Sequence, residues 1–94
     1  MVIKSFACRH TETLFRTRST KRFGVDLAKM GLTKLRLLDA AGDLIDLKVP
    51  PGNRLEALRG DRAGQHSIRI NDQWRICFVW RDGDALDVEI VDYH

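Results

Sequence analysis

The spacing of apolar side chains predicts two helices in the first half of this 94-residue chain. Residues 10–16 fit one or two helical turns, with Thr11 as the N-cap. Residues 26–41 fit a longer helix with Asp26 as its cap, because apolar positions there recur every three or four residues. The apolar stripe of this second helix consists of Leu27, Met30, Leu35, Leu38 and Ala41.

Alternation of apolar and polar residues replaces the helical spacing in the second half of the chain. Pro50-Pro51-Gly52 separates the two halves, since two prolines remove backbone donors and interrupt regular structure. A short helical turn is expected before it, at 43–47. The predicted strands are 2–6, 55–58, 66–70, 74–80 and 85–91.

The two longest strands can be divided into faces, because side chains alternate along a strand with a period of two. One apolar row contains Trp74, Ile76, Phe78 and Trp80, and a matching row contains Leu86, Val88 and Ile90. We expect these rows to pack beneath the helices. The fold class is therefore α+β, with an N-terminal strand and helices packed on an antiparallel β-sheet in two layers. The opposite face carries Arg75, Cys77, Asp87 and Glu89.

Composition indicates one ordinary globular domain over residues 1–94, with 44% hydrophobic and 31% charged residues. No apolar run approaches the ~20 residues that span a bilayer, and residues 1–6 lack the pattern of a secretion signal. We expect a cytoplasmic protein without membrane contact. Cys8 and Cys77 lie far apart without metal-ligand spacing, so we expect two reduced thiols and neither metal nor cofactor.

The net charge of +3 is unevenly distributed. Residues 1–38 hold nine basic and two acidic side chains, whereas residues 39–94 hold seven basic and eleven acidic ones. A basic N-terminal half attracts polyanions such as nucleic acid. A solvated helical surface explains the same asymmetry equally well, and charge alone does not distinguish binding from cutting.

Polar side chains that suit phosphodiester chemistry gather where the strand alternation is interrupted. Cleavage without a metal needs a proton acceptor, a proton donor and a group that neutralises charge on the phosphate. Histidine and aspartate suit proton transfer, and arginine binds phosphate oxygens bidentately. The candidates are Arg59, Asp61, Arg62, Arg69, Arg75, Asp92, Tyr93 and His94.

Each of these residues also has an ordinary structural interpretation. A terminal residue such as His94 is often solvated, and Tyr93 can close a strand end. Arg75 can form a cross-strand ion pair with Glu89. His66 shares the parity of the neighbouring isoleucines, which favours a packed histidine over a catalytic one. Taken alone, these residues leave the function undecided.

Four stretches resemble the HigB toxin family of the RelE/ParE superfamily. The most specific combination is Asn-x-x-Trp-Arg-Ile, beginning at Asn71, together with the ending Asp-Tyr-His. The chain most resembles the branch of the family that carries Pro-Pro-Gly-Asn-Arg-Leu-Glu, a segment that begins here at Pro50. The matching stretches are 50–58, 59–70, 71–78 and 88–94.

The resemblance implies a two-layer RelE/ParE-like fold with a curved sheet. It further implies a toxin of a type II toxin–antitoxin system that cleaves messenger RNA on the ribosome, without metal, by attack of the 2′-hydroxyl on the adjacent phosphate. The implied partners are the ribosome, its mRNA and a HigA-like helix-turn-helix antitoxin, in a dimeric or heterotetrameric complex.

Site residues carry over from the family by position. Arg75 and Arg59 would stabilise the phosphate, with Arg59 standing where some relatives have lysine. Asp92, Tyr93 and His94 fall on the C-terminal active-site residues: His94 as proton donor or shuttle, Asp92 as its charge partner or the base, and Tyr93 positioning the nucleotide.

One position departs from the pattern of some relatives. Glu56 stands where these carry histidine, and its carboxylate is either a general base or an inactive substitute. The basic residues expected to contact RNA are Arg62, Arg69, Lys21 and Arg22.

Two other functions are compatible with the same scaffold. A toxin resembling ParE would act on DNA gyrase, although such proteins usually lack the arginine with the terminal Asp-Tyr-His. A non-catalytic module would bind the ribosome or RNA through the basic helices and slow growth by occupancy.

Overall fold

Two α-helices form one layer of the protein. The computed structural model describes residues 1–92, in which α1 spans Arg9–Thr17 and α2 spans Val25–Asp39. Both predicted helices are confirmed to within two residues at each end. Within residues 1–92, no helix is both long and apolar enough to cross a membrane.

The predicted helix caps are wrong. Cys8 and Gly24 occupy the N-cap positions, and neither makes a side-chain capping hydrogen bond. Thr11 lies inside α1 and is fully buried, and its Oγ1 accepts a hydrogen bond from the backbone N–H of Ile90 at 3.0 Å. A tertiary contact 79 residues away therefore determines the role of this threonine.

The buried stripe of α2 differs from the predicted one at a single turn. Met30 is 43% exposed, whereas Gly31 is buried. A Cβ atom at Gly31 would lie 3.1 Å from Cδ1 of Ile90 and 3.6 Å from Cδ2 of Leu14. Glycine thus lets α2 approach the sheet and α1 closely, and the neighbouring methionine faces outward.

The second layer is one antiparallel sheet of four strands in the order β1-β2-β3-β4. The strands are β1 Glu56–Ala57, β2 Gln65–Arg69, β3 Trp74–Arg81 and β4 Asp84–Asp92. Short 3₁₀ turns at Leu44–Lys48 and Pro51–Asn53 connect the helices to the sheet, and a third at Gly60–Arg62 lies between β1 and β2. The predicted α+β class and the strand positions in the second half are confirmed.

A bulge in β4 changes which of its side chains face the helices. Asp87 has a φ of 53°, and the β3–β4 register shifts beside it. Ala85 and Val88 are both fully buried in the core, although they are three positions apart, whereas Leu86 pairs with Val79 on the other face. The prediction that Leu86 belongs to the core row is therefore wrong, because the extra residue reverses the alternation.

The N-terminal segment lies along β4, but it is not the continuous strand predicted for residues 2–6. It forms two isolated parallel bridges, Ile3 with Ala85 and Phe6 with Val88. The backbone N–H of Asp87 donates to Ser5 Oγ at 2.9 Å between them. The bulge in β4 thus interrupts this pairing as well.

The core lies between the helices and one face of the sheet. Phe23 packs edge-on against Trp74, with ring centroids 5.9 Å apart. The largest fully buried apolar side chains are Phe78, Leu14, Leu35, Leu38, Leu47, Ile68, Ile76 and Val88. The opposite sheet face carries the polar residues from which the candidate site is built.

Candidate functional site

Two rows of paired residues cross the sheet face that points away from the helices. Antiparallel partners project to the same face, so each row brings side chains from several strands together. The first row contains Glu56, Ser67, Cys77 and Glu89. The second row contains Arg69, Arg75 and Val91 and lies nearer the β2–β3 turn.

Arg75 is held firmly at the centre of this face and is only 8% exposed. Its Nε donates to Ser67 Oγ at 2.7 Å, and its Nη2 donates to the carbonyl of Arg54 at 2.5 Å. Glu56 Oε1 lies 3.8 Å from the same Nε. A guanidinium fixed by several acceptors presents its charge in one orientation, as stabilisation of a phosphate requires.

Glu89 pairs with Arg62, not with Arg75 as the alternative interpretation of Arg75 predicted. Arg62 Nη2 lies 2.8 Å from Glu89 Oε1, and its Nη1 donates to Gln65 Oε1 at 3.0 Å. Arg75 instead donates to Ser67 and lies near Glu56, both of which belong to the first row. The face therefore carries two neighbouring arginine–carboxylate pairs in place of the single cross-strand pair.

Cys77 lies between these pairs and is fully buried. Burial raises the pKa of its thiol, Arg62 opposes the increase and Glu89 adds to it. A thiol with a raised pKa is a poor nucleophile at neutral pH, so Cys77 serves as a packed residue beneath the site.

Asp92 lies at the end of β4, beside the start of β3. Its Oδ2 accepts a hydrogen bond from Gln73 Nε2 at 3.0 Å, and its backbone is paired with Trp74. Its pairing partner Trp74 directly precedes Arg75, and the two side chains project to opposite faces of β3. The predicted site residues Tyr93 and His94 lie outside the described residues.

The other predicted residues are distributed around this face. Arg69 lies in the second row, next to Arg75. Arg59 is exposed at the start of the Gly60–Arg62 turn and makes no side-chain hydrogen bond or ion pair within residues 1–92. Lys21 and Arg22 are exposed in the segment that Phe23 anchors against the first residue of β3, on the helix side of the sheet.

Two polar residues that support the site, Asn53 and Arg54, were not predicted as site residues, although both lie in the Pro-Pro-Gly-Asn-Arg-Leu-Glu segment. Asn53 is fully buried, and its Nδ2 donates to the carbonyl of Leu47 at 3.2 Å while its Oδ1 accepts from Lys34 Nζ. The residue after it, Arg54, supplies the carbonyl that holds Arg75. These contacts join residues about 20 positions apart, which no local pattern reveals.

An apolar pocket of about 410 Å³ lies at the sheet edge, on the other side of β1. His66 contributes to its wall and stacks on Phe78 with centroids 6.3 Å apart, as expected of a packed histidine. Its buried Nδ1 has no hydrogen-bond partner within residues 1–92. The remaining lining residues are Asp43, Leu44, Ile45, Lys48, Leu55, Glu56 and Ala57.

Comparisons with known proteins give consistent results. Residues 4–94 match the family described as the RelE-like toxin of the type II toxin–antitoxin system HigB. The chain is 31% identical to the endoribonuclease HigB of Proteus vulgaris over 93 residues, which cover 99% of this chain and 100% of that protein. It is 54% identical to the toxin HigB-1 of Vibrio cholerae over 54 residues, and this match spans only 57% of either protein.

A solved structure shares the fold. The crystal structure of YafQ from E. coli strain BL21(DE3) superposes with a TM-score of 0.58 at 12% identity, covering 96% of this chain and 90% of that one. At this identity the likeness concerns the fold alone. It agrees with helices packed on a single antiparallel sheet.

Proposed function

Because the chain belongs to the HigB-like family of RelE-like toxins from type II toxin–antitoxin systems, we propose that it is an endoribonuclease that cleaves messenger RNA on the ribosome. The observation that carries this proposal is the fixed guanidinium of Arg75, with the Glu56 carboxylate 3.8 Å from its Nε. Cleavage of a phosphodiester needs a positive charge that stabilises the phosphate and a nearby group that accepts a proton.

The proposed reaction is an internal transfer within the RNA strand, without a metal ion. The 2′-oxygen of one nucleotide forms a bond to the adjacent phosphorus while the bond to the 5′-oxygen of the next nucleotide breaks. A base on the protein takes the proton of the 2′-hydroxyl, and an acid gives a proton to the departing 5′-oxygen. The products are a 2′,3′-cyclic phosphate and a 5′-hydroxyl end.

The roles of Arg75 and Glu56 follow from their position on the sheet face, and those of Asp92, Tyr93 and His94 from the family pattern. Arg75 neutralises charge on the phosphate, and its burial supports this role because a charge interacts more strongly away from water. Glu56 or Asp92 takes the proton; Glu56 Oε1 lies 3.8 Å from Arg75 Nε, and the role of Asp92 rests on its place in the family pattern. His94 gives the proton to the 5′-oxygen, and Tyr93 positions the nucleotide.

Basic residues around the face would hold the RNA. Arg59 is exposed and without a side-chain partner within residues 1–92, so it is available to approach the phosphate when substrate binds. Arg62 and Arg69 border the face, and Lys21 and Arg22 extend the positive surface beside the start of β3. The corresponding partners are the ribosome with its mRNA and a HigA-like helix-turn-helix antitoxin in a dimeric or heterotetrameric complex, in the cytoplasm.

Primer extension on a defined mRNA programmed into ribosomes tests the proposal. We expect cuts that require ribosomes and that disappear with Arg75→Lys, Asp92→Ala and His94→Ala. Arg81→Ala is the matched control, because Arg81 is exposed at the far end of β3. Intact mRNA in every lane together with growth arrest would refute the nuclease and favour a gyrase inhibitor or a ribosome-binding module.

A further inference from the structure

A polar pocket of about 220 Å³ opens at the end of the sheet, beside the β2–β3 turn. Three arginines from separate parts of the chain line it: Arg54 after the Pro51–Asn53 turn, Arg69 at the end of β2 and Arg75 on β3. Asn71 and Asp72 complete the wall. Converging guanidinium groups indicate a site for an anion with several oxygens.

Two carboxylates of the described residues approach the arginines of this pocket. Asp72 pairs with Arg69, but its side chain is fully exposed, and Glu56 approaches only Arg75. The guanidinium of Arg54 makes no hydrogen bond or ion pair within residues 1–92, whereas its backbone N–H donates to the Pro51 carbonyl and its own carbonyl accepts from Arg75. Arg54 is therefore a cationic group that the described part of the chain leaves available to a ligand.

Lys34 adds a fourth positive charge close to the pocket. Burial lowers the pKa of its ammonium group, and the nearby Arg69 lowers it further. Its Nζ donates to Asn53 Oδ1, in the residue directly before Arg54. Like charges crowded in this way repel one another, and a bound anion would relieve that repulsion.

Asn71 provides a neutral donor in the same wall. Its Oδ1 accepts from the backbone N–H groups of Gln73 and Trp74, both at 2.9 Å. The amide nitrogen is then the polar atom left for a ligand. A pocket with arginine and amide donors suits phosphate oxygens, which only accept hydrogen bonds.

We propose that this pocket binds the RNA phosphate next to the one being cleaved, with Arg54 and Arg69 as its principal ligands. The inference rests on the proposed function. Arg75 borders the pocket, but its Nε contacts Ser67 and approaches Glu56 in the neighbouring row, whereas Arg69 belongs to the pocket's own row. Rows of one face are about 7 Å apart along a strand, a separation that a single-stranded backbone covers in one nucleotide step.

Arg54 contributes to the site in two separable ways. Its backbone carbonyl fixes Arg75, and its side chain faces the pocket. A substitution at this position removes the second contribution and keeps the first. Arg54→Gln thus tests phosphate binding without releasing Arg75.

The first experiment is titration of the isolated protein with inorganic phosphate, followed in ¹H–¹⁵N NMR spectra against sodium chloride of equal ionic strength. We expect shifts at residues 71–74, and an affinity about tenfold weaker in Arg54→Gln and in Arg69→Gln. Arg81→Gln is the control for loss of one surface charge and should match the wild type. Phosphate binding that is absent, or unchanged by Arg54→Gln, would overturn the inference.

The second experiment measures cleavage on ribosomes with the same variants. A ligand of a flanking phosphate affects binding, so Arg54→Gln should raise KM about tenfold and leave kcat within about twofold. A fall in kcat as large as that of Arg75→Lys would assign the pocket to the scissile phosphate and overturn the flanking position. Absence of cleavage by the wild type would instead refute the proposed function, which the phosphate titration does not test.

Discussion

Replacing Ser67 by alanine removes the hydroxyl that holds the Arg75 guanidinium in place. Ser67 is fully buried, and its Oγ accepts the hydrogen bond from Arg75 Nε at 2.7 Å. Alanine fits the same space, so the substitution deletes one acceptor without creating a clash. Removing the partner of a buried charged donor costs about 1.5–3 kcal/mol.

The remaining contacts of Arg75 moderate this loss. The Arg54 carbonyl still accepts from Nη2 at 2.5 Å, and the Ser67 carbonyl lies 3.4 Å from the same atom. We therefore expect Ser67→Ala to fold and to lose about 2 kcal/mol of unfolding free energy. For a domain of this size, that loss lowers Tm by about 8–16 °C.

Urea denaturation followed by the fluorescence of Trp74 and Trp80 measures this change. Ser19→Ala is the matched control, because Ser19 is exposed and its change should stay within about 0.5 kcal/mol. Ser67→Ala should also slow cleavage on ribosomes, since Arg75 loses part of its orientation. A Ser67→Ala protein as stable as the Ser19→Ala protein would refute the role given to this hydroxyl.

Three other perturbations test the surroundings of the site. Asn53→Ala deletes a buried amide that bonds Lys34 and the Leu47 carbonyl, and should cost about 3 kcal/mol in urea denaturation; a loss below about 1 kcal/mol would contradict this. His66→Phe keeps a ring beside Phe78 and removes Nδ1, which has no hydrogen-bond partner within residues 1–92, so its unfolding free energy should be at least that of the wild type and up to about 1 kcal/mol higher. Lys34 has a lowered pKa in the folded state, so between that pKa and 10.5 the unfolded chain binds more protons, and stability relative to Lys34→Met should rise with pH across that window. If that difference in stability stays flat or falls with pH, burial and the charge of Arg69 do not lower the pKa of Lys34.

Local periodicity was sufficient to predict both helices and the strands of the second half of the chain. The helical spacing between Leu27 and Leu38 and the alternation from Trp74 to Trp80 both correspond to elements of the structure. These patterns are local, because each depends on which side chains one element must bury. Arg75 was also predicted as a site residue, from its resemblance to a family arginine.

The errors arise where distant parts of the chain decide the outcome. Leu86 lies on the face opposite the predicted core row, because Asp87 adopts a left-handed conformation that the sequence did not indicate. Arg54 was not predicted because its importance depends on the carbonyl that reaches Arg75, 21 residues later. Such contacts are created by folding and have no counterpart in local spacing.

The pairing of the N-terminal segment with β4 has a consequence for behaviour in concentrated solution. One edge of the sheet ends in the two-residue strand β1, and residues 2–7 cover the other edge through bonds such as that from Lys4 N to the Ala85 carbonyl at 2.9 Å. Exposed edges recruit further chains and nucleate aggregates. The first few residues therefore cover an edge at which neighbouring molecules could otherwise pair, and we expect a protein trimmed of them to associate edge to edge.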